Sequence, residues 1–310
     1  MDIYAPKYYK KFKCIADKCL HSCCIGWEID IDERTYEKYL SLAKTAKNTV
    51  LSTIEHSTDT PHFTLGSDGR CKNLDGHGLC KIITSLGDEY LCDICRLHPR
   101  FINGLGTHTE IGLGLSCEEA ARIILTENEP FELVKIGENE ELADETLTCH
   151  ETLKIRNDII KAVEKREGDI FSSLSKIKEK YGVKTDFYSF DEWVDILLSL
   201  EILSDEWSGV LEKTLKTEPK CDKRAFDSHF EALFKYLVFR HLPPSESELE
   251  RKARIAFAAL LTELAGGFFE RESEPTEASL LNLVRLLSSE LEYSEENTEA
   301  LILELETELL

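Results

Sequence analysis

Nine of the eleven cysteines in this 310-residue chain fall in tight groups: Cys14, Cys19, Cys23 and Cys24, then Cys71, Cys80, Cys92, Cys95 and Cys117. Thiols at such density either pair as disulfides or bind metal as thiolates. A Cys-x2-Cys step such as Cys92 to Cys95 fits zinc, iron–sulfur or redox chemistry. Structural zinc takes four ligands in paired spacings. Here the spacings are irregular, and the adjacent Cys23 and Cys24 do not easily meet one tetrahedral ion together. An iron–sulfur cluster also takes four thiolates and tolerates irregular spacing. The excess over four leaves room for a second site, spare thiols or a redox role. The Cys-x3-Cys-x2-Cys signature of radical chemistry is not met, because Gly26 stands where the third thiol after Cys19 and Cys23 belongs.

All nine of these cysteines are candidate metal ligands. A four-thiolate centre is anionic, so nearby cations matter. Lys13, Lys18, Arg96 and Arg100 lie beside candidate ligands and could offset the charge, with Arg96 and Arg100 bracketing His98-Pro99. Ser116 reads as a helix N-cap with Glu119 at the capping-box spacing, which puts Cys117 at a helix start where thiolate is favoured. Cys149 and Cys221 stand apart and read as small buried apolar residues. His229 and His241 are isolated on helical stretches, and no His-x3-His pair supports zinc.

These side chains need elements to aim them. The spacing predicts a mainly α protein: a compact, loop-rich, cysteine and metal-binding N-terminal domain over 1–117, then an acidic helical domain over 118–310. In the first, Asp30 or Asp32 caps a helical run from Glu33 to Leu51. Gly66, Gly69, Gly76, Gly78 and Gly87 mark turns that can aim thiolates inward. In the second, Phe226, Phe230, Leu233, Leu237 and Val238 recur at helical spacing, as do Ile255, Ala258, Ala259 and Leu261. Breaks are expected at Pro130, 137–146, Gly168, Gly182, Pro219, Pro243-Pro244, Gly266-Gly267 and Pro275. A last helix covers Asn297 to Leu310. No P-loop, no G-x-S-x-G and no G-x-G-x-x-G after a strand is present, so the usual methyl-donor βαβ signature is missing.

Charge is lopsided. Residues 1–117 carry 14 Lys/Arg against 15 Asp/Glu, and the rest 23 against 44. Nucleic acid and anionic membrane are therefore poor partners, since phosphate binding needs a basic footprint. A cationic protein partner suits the acidic half, although most of those acids serve as a solvated surface. The start shows no signal-peptide pattern, and no stretch is long and apolar enough to span a bilayer. A cytoplasmic location follows as the expectation, and with it reduced thiols that favour metal over disulfides.

The motifs resemble one family. Phe12-x-Cys14, Cys23-Cys24-Ile25-Gly26-Trp27, Cys71 through Cys80, Cys92-x2-Cys95-Arg96-x2-Pro99-Arg100, Leu115-Ser116-Cys117 and Tyr236-Leu237-Val238-Phe239-Arg240-His241 are similar to those of the flagellin lysine-N-methylase family. That family belongs to the cysteine-cluster proteins with a CxxCxxCC-type zinc- or iron-chelating domain. The opening spacing here is longer than that name implies, and His98 stands where an aromatic often precedes the Pro-Arg. The resemblance implies methyl transfer from S-adenosylmethionine to lysines of flagellin, with an iron–sulfur cluster, [4Fe-4S], in the enzyme. The residues themselves leave two alternatives open: a non-catalytic zinc-stabilised interaction module, or an iron–sulfur redox or sensor protein.

Such chemistry has a physical requirement. A lysine amine is nucleophilic only when neutral, and at pH 7 deprotonation costs about 4–5 kcal/mol. Desolvation, nearby positive charge or a base must supply it. An acidic surface attracts Lys⁺ but holds the proton on. Candidates nearer the chemistry are Trp27 and Tyr90 as walls and Arg100 or Arg240 for a donor carboxylate, with Arg96 and Arg100 as cofactor-binding residues, because the guanidinium fork binds carboxylate bidentately.

Overall fold

The computed structural model describes residues 1–27, 29–56, 60–138 and 150–310. The chain is mainly α, with thirteen α-helices and seven short strands among the described residues. It divides into two compact units: residues 13–100, and residues 1–12 together with 101–310. Residues 101–117, which the sequence reading groups with the cysteines, thus belong to the helical unit. None of the described helices is long and apolar enough to cross a membrane.

The helical unit is built on Asp227–His241 and Glu248–Phe269. Phe230, Leu233 and Leu237 are fully buried, as are Ala258, Ala259 and Leu261, so the expected helical spacings mark the core. The helix does not break at Gly266-Gly267; it continues to Phe269. A Cβ on Gly266 would run into the Phe171 ring, and one on Gly267 into the Phe190 ring. These glycines permit close packing rather than a turn. Gly182 does end a helix, in left-handed geometry after Ile170–Tyr181. Ser189, the N-cap of Phe190–Ser199, forms a full capping box with Glu192. The last helix is Glu295–Leu309, and it buries Leu301, Ile302 and Leu305.

This unit also holds a sheet that the periodicity does not announce. Its strand order is Arg100–Gly104, Thr109–Leu113, Asp2–Pro6, Leu133–Glu138. Asp2–Pro6, the first strand in the chain, runs parallel to Thr109–Leu113, with Ile3 opposite Thr109, and antiparallel to Leu133–Glu138. Strands of five or six residues are too short to carry a clear alternation. Gly137, expected in a break, lies in the last of them; 139–146 lie outside the described residues. Gly112 faces the Phe101 ring and Gly114 the Tyr293 hydroxyl, so both sites exclude a larger side chain.

In the 13–100 unit, Asp32 caps Glu33–Ser41 by accepting from Thr35 N at 2.9 Å. The expected run to Leu51 is two helices. Leu42 and Ala43 are extended, Leu42 packs onto the small core, and Lys44–Leu51 follows. A three-stranded sheet orders Ile29–Asp30, His62–Phe63 and Ile54–Glu55. Ile29, Ile31, Tyr39, Val50, Phe63, Ile82, Cys71 and Cys92 make the core.

Candidate functional site

Local structure aims several thiols at one neighbourhood. Cys24 and Cys71 lie on adjacent extended segments, with Cys71 N donating to Cys24 O at 2.8 Å. The same ladder pairs Ile25 with Arg70, and Gly26 and Gly69 turn beside it with φ of 93° and 72°. Cys80 immediately precedes the helix Lys81–Leu86, and Cys92 precedes Asp93–Leu97, which carries Cys95 on its first turn. Asp32 ties this last helix down, its second oxygen accepting from Asp93 N at 2.9 Å. Those hydrogen bonds hold the Asp32 carboxyl below its ordinary range against the effect of burial.

Electrostatics report the convergence. A hydrogen bond to the Cys23 thiol brings Cys24 down to about 7, with Ser22 and Arg70 helping against burial. The Cys92–Cys95 hydrogen bond lowers Cys92 and raises Cys95, and Cys95 also feels Cys24 and Cys80. Burial raises Cys71 and Cys80, which sense Cys24 as well. Cys24, Cys71, Cys80, Cys92 and Cys95 therefore share one environment. Cys23 and Cys14 are both exposed, Cys23 meeting the group through its hydrogen bond to Cys24, and Cys19 directs its thiol at His21 O, 3.3 Å away. Among the described residues, no three His, Cys, Asp or Glu side chains stand at ligating geometry around one point. Tyr39, which composition alone does not flag, lies buried beside these thiols and donates to Tyr90 O at 2.6 Å.

The other candidates have different surroundings. Trp27 is 39% exposed, and its indole N–H donates to Cys23 O at 2.7 Å. Arg96 pairs with Asp93 at 2.7 Å, and Arg34 reaches the same carboxylate at 3.0 Å. Arg100 reaches Arg96 O at 3.4 Å. Burial, with Arg100 adding, pushes His98 down to about 4. Cys117 belongs to the helical unit, as N-cap of Glu118–Leu125. The expected Ser116 capping box is not formed, because Arg122 captures Glu119 at 2.7 Å through two nitrogens. Cys221 is not buried; it is partly exposed and directs its thiol at Phe269 O, 3.4 Å away. Cys149 lies outside the described residues.

A second constellation joins two of the sequence motifs. Arg240 donates to the Tyr236 hydroxyl at 2.7 Å, which donates to Glu292 at 3.0 Å, and His241 meets the same Glu292 oxygen at 2.6 Å. The guanidinium is stacked between Phe101 and Tyr293, 5.0 and 4.8 Å from their centroids. Leu115 N donates to the Tyr236 hydroxyl at 3.3 Å, so the Leu115-Ser116-Cys117 segment docks on this network. Against burial, Arg240 and His241 pull Glu292 down to about 2. Arg240 is thus committed to a buried ion pair rather than presented to a donor. Glu292 and Tyr293 escaped the sequence reading, because nothing marks one Glu-Tyr step in an acidic helical half. His229 pairs with Glu277 at 3.2 Å.

These two features, a thiol-dense unit and a helical unit around a buried Arg–Glu network, accompany sequence relatives of one kind. The chain is 28% identical over 138 residues to the lysine-N-methylase of Salmonella typhimurium (strain LT2), covering 41% of this chain and 33% of that protein. The lysine-N-methylase of Salmonella choleraesuis aligns similarly. The flagellar biosynthetic protein FliU of Salmonella muenchen is 27% identical over 134 residues, 79% of its length. The aligned stretch spans about a third of the length of the two lysine-N-methylases. No family model and no solved structure matches the chain. Over that stretch the chain is thus distantly similar to proteins named lysine-N-methylase and FliU, the kind that its motifs resemble.

Proposed function

We propose that this protein is an S-adenosylmethionine-dependent protein-lysine N-methyltransferase of the cytoplasm that acts on flagellin and uses an iron–sulfur cluster. The observation that carries the reading is the similarity to proteins named lysine-N-methylase, supported by FliU, whose name is flagellar. The residues fit a four-thiolate group in type and number: Cys95 feels Cys92, Cys24 and Cys80, Cys80 feels Cys24 and Cys92, and Cys71 feels Cys24 and Cys80. These thiols would hold the cluster. Arg70 stands near enough to Cys24 to offset part of the anionic charge, a role that the sequence spacing suggests for Lys13, Lys18, Arg96 and Arg100. When bound, such a cluster supplies redox or Lewis-acid chemistry and a rigid anchor for the loops around it.

The test is anaerobic. Purified protein should be brown, absorb near 400 nm and contain iron and sulfide. Incubated with labelled S-adenosylmethionine and flagellin, it should transfer label to lysine. A colourless protein with stoichiometric zinc and no transfer points instead to an interaction module; a coloured protein without transfer points to a redox or sensor role.

A further inference from the structure

The helical unit contains a cleft that none of the roles above uses. It measures about 410 Å³ and is lined by Asp2, Tyr4, Thr107, His108, Glu110 and Arg156, among others. Glu110 is fully buried, and Arg156 grips it through both guanidinium ends, one of them at 2.9 Å. Phe239 lies 5.6 Å beneath that guanidinium. An ion pair this dry has a fixed position, and the Glu110 carboxyl is held below its ordinary range by hydrogen bonds from His108 and Arg156 that overcome burial.

His108 is the group this pair presents to the cleft, with 21% of its side chain exposed. Its Nε2 lies 3.3 Å from Glu110 Oε1. A carboxylate only accepts, so Nε2 carries the hydrogen. Nδ1 is then the basic nitrogen, and it accepts from the exposed Thr107 hydroxyl at 3.0 Å. The Tyr4 ring stands edge-on to the imidazole at 5.4 Å, and Leu133 and Leu153 add apolar wall. An alkyl chain with a cationic tip matches such a lining.

We propose that this cleft takes the side chain of a substrate lysine and that His108 is its general base. This rests on the methylase reading above. The ammonium displaces the Thr107 hydroxyl from Nδ1. One N–H bond of the ammonium breaks, the electron pair stays on the amine, and an Nδ1–H bond forms. Glu110 stabilises the imidazolium, which returns its proton to solvent; the amine lone pair then forms the N–CH3 bond as the S–CH3 bond of the sulfonium donor breaks, its electron pair leaving with sulfur as a neutral thioether. The charged and titratable groups facing His108 are Glu110 on the strand Thr109–Leu113 that follows it, Asp2 and Tyr4 on the strand Asp2–Pro6, and Arg156 on the helix His150–Glu164. Lys135 on the fourth strand is tied to Asp2 at 2.8 Å.

The experiment compares the full-length protein with His108→Gln, measuring methyl transfer to flagellin from pH 7 to 10. The variant should be about 10²- to 10⁴-fold slower at pH 7, with the gap closing as pH rises and the lysine loses its proton unaided. A second measurement does not need turnover. In ¹⁵N-histidine-labelled protein, the signals that His108→Gln removes should shift when a lysine peptide is added and stay still with the Nε-acetyl-lysine peptide. Equal rates at pH 7, a loss that is the same at every pH, or no lysine-specific shift would each overturn the assignment. If wild-type protein transfers no label while His108 still responds, the amine site stands and the methylase reading falls.

Discussion

The two units solve the problem of stability with different means. Among the described residues, the helical unit buries forty-nine hydrophobic side chains in one cluster, while the 13–100 unit buries eight, two of them cysteines. A core that small supplies little of the free energy needed to order its loops, and small domains of this kind usually add metal or disulfides. The helical unit needs no such staple. The contrast gives the thiols a structural reason to bind metal that is independent of any catalytic one.

The largest expected effect breaks the comparison directly. Cys92→Ser with Cys95→Ser should release bound metal and unfold residues 13–100, since metal binding to such a site is folding free energy. Hydrogen exchange should show protection lost there and kept in Glu248–Phe269. Retained metal and protection across 13–100 would show that these two thiols are not ligands.

Next comes the buried network of the helical unit. Glu292→Gln leaves Arg240 buried without its counter-ion and should cost about 3–5 kcal/mol in a urea melt. The same pair sets a pH dependence. The folded Glu292 titrates at about 2, below its ordinary value of 4.5, so its contribution is present above about pH 4.5 and lost as pH falls towards 2. Wild-type stability should drop through that window, and that of Glu292→Gln should drop less.

A smaller effect sharpens the contrast at single caps. Asp32→Ala removes an N-cap and the tether to Asp93 together and should cost about 1–2 kcal/mol, read in the 13–100 unit. Ser189→Ala removes only a cap in the helical unit and should cost about 1 kcal/mol there. Equal costs would mean that the Asp93 tether adds nothing.

The helices were legible because their apolar faces repeat over several turns, as in Phe230, Leu233 and Leu237. Asp32 was legible because capping is local chemistry. The Gly266-Gly267 step misled, because a glycine pair marks a turn or a close approach equally well, and only the Phe171 and Phe190 rings decide. The strands around Ile3 and Thr109 pair across a hundred residues, and no local pattern records such a partner. For the site, spacing located the cysteines but not which of them meet. Cys14 and Cys24 look alike on paper, and the difference arises from the Cys24–Cys71 ladder. His108 had no signal at all; its meaning comes from Glu110 and Arg156, which are unremarkable residues until packing dries them.

The parallel pairing of Ile3 with Thr109 carries a consequence for how the chain matures. Asp2–Pro6 is made before the cysteine segment, and its neighbour Thr109–Leu113 only after the whole of that segment. Closing so long a loop is entropically costly and slow. If the proposed metal centre forms there, condensation around it shortens the effective loop, and iron or zinc supply during synthesis should then set the pace at which Asp2–Pro6 finds its place.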